Sequence, residues 1–188
     1  MRSPLTLPRR KLSVDEYHKI GLAGVFNEDD RIELIEGEMI EMAPIGSRHL
    51  SKVNRLSRIL GREIGDEAIV STQNPISLPP DNEPLPDIAL LKSRIDDYES
   101  AVPTAEDVLL LIEIADTTLT YDRDVKIALY ARYGIAEVWL VDLQNETLSI
   151  YLDPSPKGYK KLLNPAKNET ISPLLLPEAN VSLSDVWR

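Results

Sequence analysis

The sequence contains no cysteine. That excludes disulfides, thiolate zinc sites and cysteine nucleophiles, and it fits a cytoplasmic, reducing setting. Histidine is nearly as scarce: His18 and His49 are the two in 188 residues, so a multi-histidine metal centre is not expected. No apolar run approaches the ~20 residues needed to cross a bilayer, and no membrane association is expected. The opening MRSPLTLPRRK is basic but lacks the apolar stretch of a secretory signal, so residues 1–11 read as a loose tail. There are no repeats, low-complexity segments or long linkers, and residues 1–188 read as one domain with a closed hydrophobic core. Positive charge is also short, with 21 Lys and Arg against 31 Asp and Glu, a net charge of −10. Taken as an average, that argues against a nonspecific nucleic-acid binder held by phosphate contacts. A local basic surface, or a divalent ion set among acids, escapes the argument.

The pattern that is present centres on Val108 to Lys126. Val108 to Ala115 is a short leucine- and isoleucine-rich run, as expected of a strand buried on both faces. Glu113 interrupts it, and a buried carboxylate is costly unless paired, hydrogen-bonded or metal-bound. Side chains alternate along a strand, so Leu111, Glu113 and Ala115 share a face. A second strand is expected over Leu85 to Leu91, carrying Asp87. Lys126 falls on a helix predicted over Tyr121 to Tyr133, with Asp122 and Asp124 in its first turn.

Elsewhere, Ser13 to Glu16 forms a capping box that starts a helix to about Leu22. Asn27 to Asp30 reads as a polar turn. Arg31 to Ile35 and Glu38 to Met42 read as a hairpin turning at Glu36-Gly37. Glu36 suits either turn chemistry or a place near the site. Ser47 is expected to cap a helix from Arg48 to about Ile64, whose stripe is His49, Val53, Leu56, Leu60 and Ile64. Arg48, Lys52, Arg55 and Arg58 make this the most basic structured stretch, either a solvated face or a surface for a phosphate backbone. His49 is either a hydrogen-bonded core histidine or part of a site. Ala68 to Ser71 and Asn74 to Leu78 suggest two short strands or one bent strand. A proline-rich loop follows, and Lys92 to Val102 reads as a loop with a helical turn. Glu137 to Asp142, Thr147 to Leu152 and Tyr159 to Leu163 form a meander, and Val186-Trp187 is expected to pack back on the body.

Acids that hold a divalent ion and a fixed cation near a phosphate are the elements of metal-assisted phosphodiester hydrolysis. Asp87 and Glu113 can supply the acids, with the Ile114 carbonyl as a further ligand. Lys126 can supply the cation or orient the attacking water. A surface ion pair between Asp122 and Lys126 is the plainer alternative.

Pro86-Asp87 followed by Glu113-Ile114-Ala115 resembles the PD-(D/E)XK nuclease superfamily. The fuller string resembles the Uma-two family of restriction-endonuclease-like proteins over roughly Leu12 to Tyr151. It comprises Arg31 to Glu38, Ser47-Arg48-His49, Gln73 to Ile76, Pro86-Asp87, Glu113 to Asp116, Tyr121 to Lys126, and Tyr130 through Gly134 to Trp139. The resemblance implies an α/β (α+β) restriction-endonuclease-like core: a central mixed sheet flanked by helices, here with an added antiparallel meander. It implies Asp87 and Glu113 as ligands of Mg²⁺ (or Mn²⁺), and it draws in Glu36 and His49, which belong to the matching motifs. The superfamily's usual lysine, two residues after the acid, is replaced by Ala115. The resemblance therefore implies a migrated lysine, Lys126, reaching the space beside Ala115. The expected function is a metal-dependent DNA endonuclease. A non-catalytic nucleic-acid-binding or assembly module on the same fold is the alternative, and a scaffold whose Glu113 closes an ion pair with Lys126 is a third. A homodimer would suit cleavage of both strands of a duplex, by analogy of fold.

Overall fold

A computed structural model describes residues 9–27 and 30–188. Most of the expected tail, residues 1–8, and the middle of the expected polar turn, residues 28–29, lie outside the described residues.

The predicted capping box is present. Ser13 caps α1 (Val14–Leu22), its side chain accepting from the Glu16 backbone while Glu16 reaches back. The hairpin β1 (Ile32–Ile35) and β2 (Glu38–Glu41) turns through Glu36 and Gly37, both at positive φ (50° and 74°). Gly37 has a second reason to be glycine, because a Cβ there would lie 2.5 Å from Cβ of Lys11. Helix α2 spans Ser47–Ile64, with Gly46 rather than Ser47 at the N-cap. Its buried face is Val53, Leu56, Ile59, Leu60 and Ile64. Each such side chain contributes about 1.5–3 kcal/mol on leaving water.

The main sheet has six strands in the order β3-β4-β5-β6-β7-β8. They are β3 (Ala68–Thr72), β4 (Ile88–Lys92), β5 (Val108–Ala115), β6 (Glu137–Asp142), β7 (Thr147–Ser155) and β8 (Gly158–Leu163). All neighbours are antiparallel except β5 and β6, which run parallel with Glu113 opposite Leu140. A parallel pair needs a crossover. Here it is helical: α3 (Leu119–Tyr121) runs through a π-helical segment, Asp122–Lys126, into α4 (Ile127–Arg132). The chain closes with a two-stranded ribbon, β9 (Thr170–Ile171) with β10 (Val181–Ser182), and α5 (Leu183–Trp187). Val186 is fully buried and Trp187 packs on the core, as expected.

Two strand expectations are corrected. Strand β4 begins at Ile88, so Asp87 sits just before it. Pro84 and Pro86 lack the N–H needed to extend a ladder. Asn74 to Leu78 is no strand and makes only isolated bridges, Ser77 with Thr104 and Leu78 with Asn82. The turn at Gln73 (φ 55°) and Pro75 end the pairing that Ala68–Thr72 began.

The sheet separates two cores. On one face α2 packs against Ile88, Leu90, Leu110, Ile112, Ile114, Trp139 and Val141. On the other, Leu129, Tyr130 and Ile135 pack against Ala89, Leu91, Leu111, Ala115, Val138 and Leu140. Alternation along β5 therefore turns Glu113 toward the face covered by the crossover helix.

Candidate active site

Glu113 is 2% exposed. Its Oε1 accepts from Tyr130 Oη at 2.5 Å and pairs with Lys126 Nζ at 2.9 Å. Both partners come from the crossover. Asp122, Lys126 and Tyr130 follow one another at intervals of four, so they share the helix face toward β5. The π-helical segment carries the first two, and such bulges recur where a helix must re-aim a side chain. Lys126 is itself buried, at 1% exposure, and also meets Glu33 Oε2 at 3.3 Å and the Leu85 carbonyl at 3.3 Å. The plain surface pair with Asp122 is thus not what forms. Ala115, small and on the same face, is fully buried beside this group.

Asp87 is held on three sides. Its Oδ2 accepts from His49 Nε2 and from the Ile114 backbone N–H, both at 2.9 Å, and its Oδ1 accepts from Gln73 Nε2 at 3.3 Å. Gln73 pays for that position with a left-handed backbone, uncommon for a residue with a Cβ. His49 Nδ1 is buried with no partner among the described residues.

Asp87, Glu113, Lys126 and His49 line one cavity of ≈ 440 Å³, together with Glu33, Ile114 and Asp122. Four buried carboxylates (Glu33, Asp87, Glu113 and Asp122) thus face one ammonium. Burial, helped by Asp122 and Asp87 and opposed by Lys126, pushes Glu113 up to about 8. Burial also raises Asp122. Burial works against the Lys126 charge, yet Glu113, Glu33 and Asp122 together hold the ammonium above its ordinary value. Lys126 therefore stays charged at neutral pH, while burial favours the neutral forms of Glu113 and Asp122.

Glu36 does not join this group. It lies exposed in the β1–β2 turn, paired with Arg132 at 2.6 Å. Its turn geometry accounts for its place. The basic residues of α2 divide. Lys52 donates to the Val186 carbonyl and lies 4.8 Å from the Trp187 ring, and Arg55 donates to the Asp185 carbonyl at 3.3 Å. Both are thus engaged with the chain's own C-terminal helix, whose carbonyl end attracts cations. Arg58 is exposed. Arg48 donates to the Leu143 carbonyl at 2.6 Å and faces Asp116, on the cavity rim, at 3.6 Å.

Sequence reasoning missed Glu33, Asp122 and Tyr130 as members of the site. Glu33 is 1% exposed and is held by Tyr121 Oη at 2.9 Å and the Leu85 N–H at 3.1 Å. The sequence carries no clear signal for it: Glu33 between Ile32 and Leu34 shows the alternation of a half-exposed strand. The spacing of four from Lys126 to Tyr130 was the signal for the tyrosine.

The two carboxylates meet one requirement of a divalent ion. Mg²⁺ is commonly held by one or two carboxylates, with water and substrate phosphate completing its shell. Glu113 Oε2 makes no hydrogen bond among the described residues, and the cavity carries excess negative charge. Among the described residues, no group of three or more His, Asp or Glu side chains is placed to hold a metal ion. An ion held here would rest on these two carboxylates, with the rest of its shell left to water and substrate.

A family profile described as "Uma2: Putative restriction endonuclease" matches residues 14–184. Among solved structures, the chain resembles a crystal structure described as "a putative nuclease belonging to DUF820", from Anabaena variabilis ATCC 29413. The TM-score is 0.73 and the identity 17%, over 94% of this chain and 97% of that one. At that identity the likeness establishes the fold. No curated protein matches the chain. No helix among the described residues is long and apolar enough to cross a membrane.

Proposed function

This chain belongs to the Uma2 family of "putative restriction endonucleases", and from that premise we propose that it is a metal-dependent DNA endonuclease acting at the cavity of Asp87, Glu113 and Lys126. The observation that carries the reading is the buried Lys126 ammonium, 2.9 Å from Glu113 in a cavity that Asp87 also lines. A lysine this expensive to bury supports a stronger role than a structural ion pair, which an apolar replacement often equals in stability.

Asp87 and Glu113 would hold Mg²⁺ or Mn²⁺, which supplies a Lewis acid and a more acidic water. The chain's own groups do the rest. His49, Gln73 and the Ile114 N–H fix the Asp87 carboxylate, so its orientation is set before any substrate arrives. Tyr130 and Lys126 do the same for one oxygen of Glu113. Lys126 also offers fixed positive charge to the oxygens of a scissile phosphate, where charge builds during cleavage. Glu33 and the Leu85 carbonyl hold that ammonium in place.

The test is incubation of the purified protein with DNA and Mg²⁺ or Mn²⁺, beside Asp87→Ala and Glu113→Ala. Metal-dependent cleavage lost in both variants is expected. Absence of metal-dependent cleavage by the unmodified protein, or cleavage that survives in both variants, refutes the reading.

One observation favours the alternative of a non-catalytic nucleic-acid-binding module: Glu113 Oε1 is already shared by Tyr130 and Lys126, and the carboxyl is pushed toward its neutral form by burial. Salt-sensitive DNA binding without turnover, weakened by reversing Arg48 and Arg58, would select it.

A further inference from the structure

The reacting groups lie at the bottom of a pocket rather than along an open groove. Side chains of Glu113 and Lys126 are 3% and 2% exposed, and both still line the cavity. A phosphodiester in an intact duplex runs along the outside of two paired strands. It cannot descend to groups this deeply set while its nucleotide stays stacked and paired.

The wall above these groups has a different chemistry. The end of β2 and the loop into α2 present Ile40, Met42, Pro44 and Ile45 to the same cavity. Ile40 packs partly on the core, Met42 is half-buried and Ile45 is 36% exposed, so this apolar surface keeps a face open toward the space. The floor is acidic with one ammonium, and the wall is mostly apolar, interrupted by Arg31 and Glu41. The volume of ≈ 440 Å³ falls within the roughly 300–1,000 Å³ typical of small-molecule pockets. An occupant with one flat, weakly polar end and one anionic end fits both halves, whereas an elongated duplex fits neither.

We propose that the pocket accepts a single unpaired nucleotide, with its base against Ile40, Met42, Pro44 and Ile45 and its phosphate directed to the floor at Lys126. The substrate class is therefore single-stranded nucleic acid, or a duplex with an unpaired or extruded nucleotide, in preference to an intact duplex. This rests on the nuclease reading of the same cavity. Enzymes that act on an extruded base meet it with apolar or aromatic side chains, and the unpairing energy is smallest where the base is already unpaired.

Three oligonucleotides of one sequence provide the test: a single strand, a full duplex, and a duplex with one unpaired nucleotide. Each carries 2-aminopurine at the same position, and binding is measured at low salt with the Asp87→Asn protein to prevent cleavage. The expected result is at least tenfold tighter binding of the single strand and the unpaired duplex than of the full duplex, with a change in 2-aminopurine emission. Ile45→Ser, at a solvent-facing loop position where folding should tolerate it, is expected to remove that preference and the emission change. Circular dichroism confirms that the variant is folded, and Met42→Glu supplies an independent lesion in the same wall. Equal or tighter binding of the full duplex, or a preference untouched by both wall variants, overturns this proposal and leaves the nuclease reading standing. Failure of all three oligonucleotides to bind overturns this proposal, and the cleavage assay decides the nuclease reading.

Discussion

Replacing Lys126 with methionine keeps most of the side-chain volume and removes the ammonium. The four carboxylates Glu33, Asp87, Glu113 and Asp122 would then face one cavity without it. Removing one partner of a buried ion pair costs up to about 3–5 kcal/mol where the remaining charge stays buried and uncompensated, and less where the carboxyl takes up a proton. For a chain of this length that upper range corresponds to a fall of roughly 6–20 °C in melting temperature, at about 2–4 °C per kcal/mol. The pH dependence sharpens the test. Glu113 titrates at about 8 in the folded protein against an ordinary 4.5, so the folded state holds its proton more tightly than the unfolded chain does. An acid raised in this way imposes no charge-burial penalty below its unfolded value. The penalty grows as pH rises from about 4.5 to about 8, with a slope of up to about 1.4 kcal/mol per pH unit. Lys126 remains protonated throughout that window and adds no slope of its own in the unmodified protein. In Lys126→Met, Glu113 loses its nearest cation, and its folded titration moves higher still. The gap between the two proteins should therefore be constant near pH 6, where Glu113 is protonated in both folded states, and wider at pH 9, where it ionises only in the wild type. Urea denaturation at both pH values measures this, and millimolar Mn²⁺ should restore part of the loss at pH 8 by binding the folded state alone. Stability within about 0.5 kcal/mol of wild type at both pH values, the range of an ordinary surface change, would refute the electrostatic reasoning.

Tyr130→Phe deletes the hydroxyl that donates to Glu113 in a fully buried setting, and urea midpoints should report a loss of about 1–3 kcal/mol. Leu60→Ala, on the buried face of α2, should cost about 2–5 kcal/mol in the same assay without changing any pH profile. Gln73→Gly relieves a left-handed backbone while deleting a hydrogen bond to Asp87. It should hold or raise thermal stability by up to about 1 kcal/mol and still lower any Mn²⁺-dependent cleavage rate.

Much of the arrangement was legible because local chemistry and tertiary structure agree. The capping box of α1, the Glu36-Gly37 turn, the apolar run of β5 and the three-stranded meander all specify their own conformation. Asp87 and Glu113 could be nominated because each stands out against proline-rich or apolar surroundings, and a family resemblance joined Lys126 to them. What could not be read was pairing across the chain. Glu33 is an acid in a hairpin that is locally indistinguishable from a half-exposed strand. Only the docking of β1 against Leu85 and Tyr121 buries it. Glu36 misled for the converse reason: three residues from Glu33, it looked equally available, but its position in the turn directs it outward to Arg132. The same applies to α2, where the sequence shows a basic face but not that Lys52 and Arg55 meet carbonyls contributed by the last residues of the chain.

The site has no local fragment. Glu33 and Tyr121, which together help to frame the lysine, lie 88 positions apart, and Asp87 and the Ile114 N–H lie 27 apart. Closing such loops comes late in folding, because chain entropy must be lost before long-range contacts reward it. During synthesis, Glu33, His49 and Asp87 emerge from the ribosome well before the crossover helix that brings Lys126 and Tyr130. Until that helix docks, the carboxylates lack their cation and repel one another. A chain interrupted just before Lys126 carries all four acids of the cavity but neither Lys126 nor Tyr130, and so has no assembled site. The long reach between the parts confines any nuclease activity to molecules that have finished folding.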